Sequence, residues 1–410
     1  MARTKALLGA GARLSDYLSA SLLARVYPAD QINEILDEQG RNSRRVRSFP
    51  ALAGVYYCMA LSLYPEVAYE EVFSVVSQGL AWAQSKPTPA TVAKSSISEL
   101  RSKIGAGPMH TLMSRACVPL ATPEKHPNAF FAGLRLMAID GSNFEVPDEL
   151  DNVAQFGYPG SRTGQAGYPQ AQCVVLVECA THAIIDAAIG AYRAGEWKLT
   201  ESLLPSLAPG MLLLADRGFN GYRAWQQARQ TGADLLWRCA DNRQLPVVEA
   251  LADGSYLSEI YPNDKARRAQ QAAIRVRIVE YELPRADPKP ERYRLMTSLL
   301  DPEAAPALEL AALYHERWQV ESVFDELKTH LQHGRRVLRS KTPELVRQEF
   351  YGWVLAHYAV RWLMHQAASE HRLRHDILSF TAHAHLLRRT QPHSGAFSPS
   401  APKTAKTLVR

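Results

Sequence analysis

Residues 211–238 read MLLLADRGFNGYRAWQQARQTGADLLWR, and their pattern decides the fold class. Met211 to Ala215 is a short apolar run ending at Asp216, the length of a buried strand. Gly221 to Thr231 follows with helical spacing, and Asp234 to Arg238 returns to a strand. Strand, helix and strand in succession are the repeating unit of an α/β core. Upstream, Leu134–Asp140 (LRLMAID), Gln172–Glu178 (QCVVLVE) and Ala183–Ala191 (AIIDAAIGA) read as three further strands. Glu196 to Leu207 reads as a helix, stopped by Pro209-Gly210.

Outside this core the rhythm changes. Residues 1–120 are mostly helical in pattern, with a break at Lys86-Pro-Thr-Pro89, and Val92, Ile97, Leu100 and Ile104 share one face. Pro119 to Asn128 reads as a linker. Residues 241–303 form a β-rich insertion: Ile274 to Glu282 alternates strictly, as a half-exposed antiparallel strand does, and Tyr293 to Ser298 is a second strand. Helix resumes from Ala304 to His330 and from Pro343 to Ala368. The tail, 393–410, is rich in Ser, Pro and Ala and is expected to be disordered.

The 410 residues are 46% hydrophobic and 21% charged, which excludes a wholly disordered, collagen-like or small disulfide-stapled chain. Five cysteines without a CxxC pair make a zinc ribbon or disulfide framework unexpected and point to a reducing cytoplasm. The net charge of +6 is concentrated: residues 361–410 hold eight Lys or Arg against two acids, and Arg41, Arg44, Arg45 and Arg47 crowd into seven residues. Basic ends around a balanced centre suit a polyanionic partner, or are solvated surface. The basic, leucine-containing start is interrupted by Arg13 and Asp16 and reads as an amphipathic helix, not a signal peptide. Residues 51–64 are apolar but too short to span a membrane, which needs about 20 residues.

Asp140 (AIDGS) and Asp216 (LLADRGF) end apolar strands, where the sites of α/β sheets gather. Each alone is compatible with a turn or a helix cap. The third element is Tyr314-His-Glu-Arg-Trp-Gln-Val-Glu-Ser-Val-Phe-Asp-Glu-Leu-Lys328, in which helical spacing puts Tyr314, Arg317, Glu321 and Lys328 on one stripe. By itself this is also the pattern of a salt-bridged surface helix. Trp318 is expected to pack the helix on the core. The carboxy-terminal histidines (His365, His371, His375, His383, His385) show no tight metal motif beyond HAH.

Together, Y-x2-R-x3-E-x6-K, DGS, DRGF and the Leu295–Leu300 strand resemble DDE transposases of the insertion-sequence 4 family, cut-and-paste enzymes of bacterial insertion sequences. The resemblance covers roughly residues 130–370, and RRVRSFPALAGVYY resembles the family's amino-terminal region less specifically. It implies an α/β fold with a ribonuclease-H-like catalytic core interrupted by the β insertion. The core would occupy residues 129–240 and 304–340, the insertion 241–303, with a helical DNA-end-binding domain over 1–120 and a helical carboxy-terminal region over 341–392.

The resemblance further implies that Asp140, Asp216 and Glu321 are the catalytic and metal-binding acids. They would hold two Mg²⁺ ions, with Mn²⁺ as a substitute, Asp140 bridging the pair. An all-oxygen donor set suits these hard cations. The implied reaction is strand nicking, hairpin formation and opening, and strand transfer on double-stranded DNA: the transposon's terminal inverted repeats and the target. Arg317 and Lys328 would hold phosphates, Tyr314 would hydrogen-bond one, and Tyr293 stands where a relative stacks a tryptophan on a flipped base. Asp325 stands where that relative has a second basic residue. Arg217 is a further candidate DNA contact, and Arg41, Arg44, Arg45 and Arg47 are candidates for end recognition. A homodimer in the synaptic complex, no membrane association, and a cytoplasmic, nucleoid-associated bacterial location complete the expectation. The alternatives are a structure-specific nuclease on the same core and a catalytically silent DNA-binding descendant; a metabolic α/β enzyme would need a phosphate loop, and GAGAR at 9–13 lacks that context.

Overall fold

A computed structural model describes residues 23–43, 49–83, 92–160, 167–219, 221–240, 243–283, 291–331, 337–371 and 380. The start, Arg44, Arg45, Arg47, the 86–89 break, His375, His383, His385 and the tail lie outside the described residues.

The helical amino-terminal stretch contains α1 (Ala29–Glu38), α2 (Ala51–Leu63), α3 (Tyr69–Ala83), α4 (Lys94–Ile104) and α5 (Gly107–Ala116). Then come β1 (Phe130–Phe131), β2 (Leu134–Glu145), α6 (Leu150–Phe156), β3 (Gln170–Glu178), β4 (Ala183–Ala191), α7 (Glu196–Thr200), β5 (Met211–Ala215), α8 (Tyr222–Gln230) and β6 (Asp234–Arg238). The following stretch adds β7 (Glu249–Ala250), β8 (Tyr256–Ile260), α9 (Asp264–Arg268), β9 (Ile274–Leu283) and β10 (Glu291–Thr297). Last come α10 (Ala307–Tyr314), a 3₁₀ turn (His315–Trp318), α11 (Gln319–Asp325), a π turn (Glu326–Leu331) and α12 (Pro343–His371). The chain divides into two units: Met1–Leu120, Phe144–Ala171 and Phe324–Arg410 form one, Ala121–Asn143 and Gln172–Val323 the other.

The second unit is built on one mixed sheet in the order β4-β3-β2-β5-β6-β10-β9-β8-β7, with β1 pairing on β2. β2, β5 and β6 run parallel, and β10, β9, β8 and β7 continue from β6 in antiparallel pairs. The four residues between β3 and β4 permit only an antiparallel return. Leu212, Leu213, Leu214, Leu235 and Leu236 are fully buried, as central parallel strands covered on both faces require. Each such leucine contributes about 1.5–3 kcal/mol relative to exposure. Trp225 and Ala228 seat α8 on this core, with the Trp225 ring edge-on to Trp237 at 5.1 Å.

Two local expectations change. The 196–207 stretch is not one helix: α7 ends at Thr200, and Leu204–Ser206, containing Pro205, forms a separate 3₁₀ turn. Proline cannot continue a helix interior, because it lacks the N–H. The strands from 241–303 extend the main sheet. β9 is not half-exposed either: Arg277 is wholly buried, paired with Asp253 and donating to the Asp301 and Ala305 carbonyls at 3.2 and 2.6 Å. That face is covered, so its arginine serves as an internal tie.

The first unit is a helical assembly in which α12 packs closely on α2. A Cβ at Gly352 would lie 2.6 Å from the Cys58 carbonyl, so glycine permits this approach. Tyr27 donates to the Leu355 carbonyl at 2.7 Å, and Arg101 donates to Gln348 and Ser340, both at 2.9 Å. None of the five cysteines forms a disulfide, and all are buried. No described helix is long and apolar enough to cross a membrane.

Candidate active site

Parallel register places the first two acids side by side. Ala138 of β2 pairs with Leu214 of β5. Asp140 and Asp216 each lie two residues further on, so the twofold pleat puts them on the same face and at the same level. Neighbouring strands are about 4.8 Å apart. Asp140 does not end its strand, since β2 runs on to Glu145; it marks the point where pairing with β5 stops. The Gly141 N–H donates to Asp140 Oδ1 at 2.8 Å, and the Gly218 N–H donates to Asp216 Oδ1 at 2.7 Å. Buried Phe219 anchors the short turn that carries Arg217.

The third acid reaches them through an arginine. Arg317, almost fully buried on the 3₁₀ turn, sets one guanidinium nitrogen 3.4 Å from Asp140 Oδ2 and another 3.3 Å from Glu321 Oε1. Glu321 itself is exposed on the first turn of α11. Gln319 of that turn pairs with His182 Nε2 at 2.7 Å, fixing the helix start against the β3–β4 turn.

A fourth carboxylate, missed by sequence reasoning, stands beside the first two. Glu196 opens α7, and a Cβ built on Gly141 would meet its Oε1 at 2.5 Å. A Cβ on Gly218 would lie 3.2 Å from its Oε2 and 2.9 Å from Asp216 Oδ1. No spacing rule links Glu196 to the motifs; its only sequence signal is the glycine within each aspartate motif, which leaves room for a neighbour.

The electrostatics follow from this crowding. Burial pushes the Asp140 carboxyl up to about 6, assisted by Asp216 and Glu321 and opposed by the Gly141 N–H and Arg317. Burial, then Asp140 and Asp216, raise Glu196. Burial works against the Arg317 charge, but Tyr314 and the three acids outweigh it and hold Arg317 above its ordinary value. As placed, no group of three or more acids, histidines or cysteines among the described residues closes around a single point to cage an ion.

The remaining candidates are dispersed. Tyr314 is 2% exposed and donates to the Ala215 carbonyl at 3.2 Å, directly before Asp216. Burial raises its hydroxyl well above the usual value, so it is a neutral donor. Tyr293 is 5% exposed, stacked on Tyr281 at 5.2 Å and covered by the Arg238 guanidinium at 4.0 Å. Neither ring offers an open face to DNA in this conformation. Arg217 is exposed. Trp318 does not pack inward: it is 46% exposed, with Arg317 5.1 Å from its ring centre. In the first unit, the Lys328 ammonium rests over the rings of Phe144 and Phe324 at 5.0 and 5.8 Å, and exposed Arg41 donates to the Lys103 carbonyl at 3.0 Å.

Residues 132–359 match the family model described as the transposase DDE domain, and residues 18–114 match that of the insertion element 4 transposase amino-terminal region. The chain is 27% identical over 356 residues to the transposase InsG for insertion sequence element IS4 of Escherichia coli K12, covering 86% of this chain and 76% of that protein. A cryo-EM structure of a piggyBac transposase synaptic complex with hairpin DNA aligns with 95% of this chain and 83% of its own at 12% identity. Its TM-score of 0.45 is too low to establish a shared fold. The domain match spans more than half of the chain, including all three predicted acids, and the second match supplies the amino-terminal region. This chain therefore belongs to the DDE transposase family, the polynucleotidyl transferases of insertion sequences, and is of the insertion-sequence 4 type.

Proposed function

We propose that Asp140, Asp216 and Glu321 form the catalytic face of a ribonuclease-H-like core and hold a pair of divalent cations, Mg²⁺ with Mn²⁺ as substitute. The observation that carries this is the shared level of Asp140 and Asp216 on adjacent parallel strands, with Arg317 tying Asp140 to Glu321. The donor set fits the ions: all oxygen, crowded, and so short of positive charge that burial and like-charge repulsion lift Asp140 to about 6. A bound divalent pair supplies Lewis-acid activation of the attacking and leaving oxygens of an in-line phosphoryl displacement.

The chain's own residues do the rest. Tyr314 fixes the backbone at Ala215 and thereby aims Asp216. Arg317 fills the gap between Asp140 and Glu321 in the resting protein, and its guanidinium would be the group to pair with a DNA phosphate. Arg217 and Lys328 supply further phosphate contacts, as point charges or forks that position without reading sequence. Tyr293 stacks on a flipped base once Arg238 lifts from its ring, a step that makes the sharply bent hairpin backbone accessible. Arg41, Arg44, Arg45 and Arg47 hold the terminal repeat. Synapsis of two ends calls for a homodimer on double-stranded DNA, acting at the bacterial nucleoid.

The test is cleavage of a duplex carrying the element's terminal repeat, with Mg²⁺, beside Glu321→Ala. Nicking followed by a hairpin, both lost in the variant, is the expected result. Specific binding without cleavage in Mg²⁺ or Mn²⁺ would instead identify a silent, DNA-binding descendant.

A further inference from the structure

We propose that Glu196 is a fourth acidic ligand of this site and binds divalent cation together with Asp140 and Asp216. The inference rests on the site proposed above, whose existence stands on the domain match and the strand register and does not depend on Glu196.

Glu196 enters from a separate element, the start of α7, yet its two carboxylate oxygens face Gly141 and Gly218, the residues that follow Asp140 by one position and Asp216 by two. The main-chain N–H groups of those glycines are already engaged by Asp140 and Asp216 themselves. No donor or cation partners the Glu196 carboxylate among the described residues. Its neighbour Glu201 shows what a settled glutamate looks like here, with Lys198 at 3.1 Å, Gln227 at 3.2 Å and Arg223 at 3.4 Å. Nor is Glu196 needed to hold α7. Trp197 does that by donating to Gln227 at 3.2 Å, while Thr200 closes the turn on the Glu196 carbonyl at 2.9 Å, a main-chain contact that any side chain would leave intact. A half-buried carboxylate pressed against two others without a donor opposes folding, so packing gives no reason for it. A cation does.

The space left by glycine at 141 and 218 points the same way: a side chain at either position would push the Glu196 oxygens away.

The experiment is titration of the full chain, without DNA, with Mn²⁺ followed by the electron paramagnetic resonance of free Mn²⁺. Wild type, Glu196→Gln, Glu196→Asp and Asp140→Asn are compared, each with its metal-free melting temperature. Glu196→Gln is expected to weaken Mn²⁺ binding on the order of 10–100-fold while melting as wild type or higher, and Glu196→Asp to recover part of the loss. Wild-type affinity in Glu196→Gln, with binding lost in Asp140→Asn, would overturn the assignment and leave the three-acid site standing. Wild-type affinity in Asp140→Asn would sink the site itself, and this inference with it. Weakened binding matched by a lower metal-free melting temperature would also overturn it, by assigning Glu196 a structural role.

Discussion

Glu178 on β3 and Glu326 in the π turn are both almost wholly buried, and each is surrounded by donors. Glu178 accepts from the Ala121 N–H at 2.9 Å, the Thr181 hydroxyl at 2.5 Å and the Arg135 guanidinium. Glu326 accepts from His357 Nε2 at 2.7 Å and Arg361 Nε at 3.0 Å, and pairs with a second Arg361 nitrogen. Burial pushes His357 down to about 3 and Arg361 down to about 9, so at neutral pH the histidine is neutral and the arginine carries the balancing charge. At Asp140, Asp216, Glu196 and Glu321 the same residue types meet one arginine, whose two contacts are long at 3.3 and 3.4 Å. Compensated carboxylates tie the fold together, whereas those of the proposed site are left short of positive charge, as a site for a ligand that brings it would require.

Breaking the compensated network should produce the largest effect on stability. Arg361→Ala takes from buried Glu326 its charged partner while the neutral His357 stays, and should cost about 3–5 kcal/mol in denaturant unfolding. If it costs under about 1 kcal/mol, in the range of an exposed pair, the contrast between the two regions fails.

The opposite sign is expected at the site. Asp140 has a folded pKa near 6 against an ordinary value of 3.8, so the folded chain binds the proton more tightly than the unfolded one. Stability in EDTA should therefore fall as pH rises from about 4 to about 6, by on the order of 2–3 kcal/mol. Asp140→Asn should flatten that slope and melt higher at neutral pH while abolishing nicking. Divalent ion should restore wild-type stability above pH 6, because metal and proton compete for one carboxylate. A slope that survives in Asp140→Asn would place the titration elsewhere.

Tyr314→Phe separates the two regimes within one helix. The hydroxyl belongs to the compensated class, since it satisfies the Ala215 carbonyl. Its loss should cost about 1 kcal/mol in stability, with a smaller effect on Mn²⁺ affinity than any acidic substitution. A larger loss of affinity than of stability would move Tyr314 into the site.

The core was legible because central strands advertise themselves: MLLLA and DLLWR are apolar without alternation, and both are strands, the second with the bounds expected and the first stopping one residue before Asp216. An acid closing an apolar run is conspicuous for the same reason, which is what singles out Asp140 and Asp216 in the sequence. The 314–328 stripe was legible only in part. His315–Trp318 is a 3₁₀ turn, advancing about 120° per residue where an α-helix advances about 100°. Over four residues the phase shifts by about 80°, which helps to explain why Tyr314 is buried, Glu321 is exposed and Trp318 faces outward. Arg277 was misread because alternation reports which residues are polar, and cannot report that a covered face needs a polar tie. Glu196 was invisible because its partners are set by tertiary approach of α7, with no periodicity connecting them.

Gly141→Ala gives the smallest and sharpest test of the difference between the regions. The new methyl would meet only the end of the Glu196 side chain, a group that can swing away, so the cost in stability should stay below about 1 kcal/mol, under the usual range for overpacking. Displacing Glu196 removes a repulsive neighbour from Asp140, which offsets part of that cost. Mn²⁺ affinity should nevertheless fall as it does in Glu196→Gln, because the ligand is moved without being altered. In a Glu196→Ala background the same glycine substitution should be silent in both measurements, the coupling expected of residues in contact. If Gly141→Ala weakens Mn²⁺ binding equally with and without Glu196, the methyl acts on Asp140 directly, and the room beside that aspartate serves its backbone and not a fourth acid.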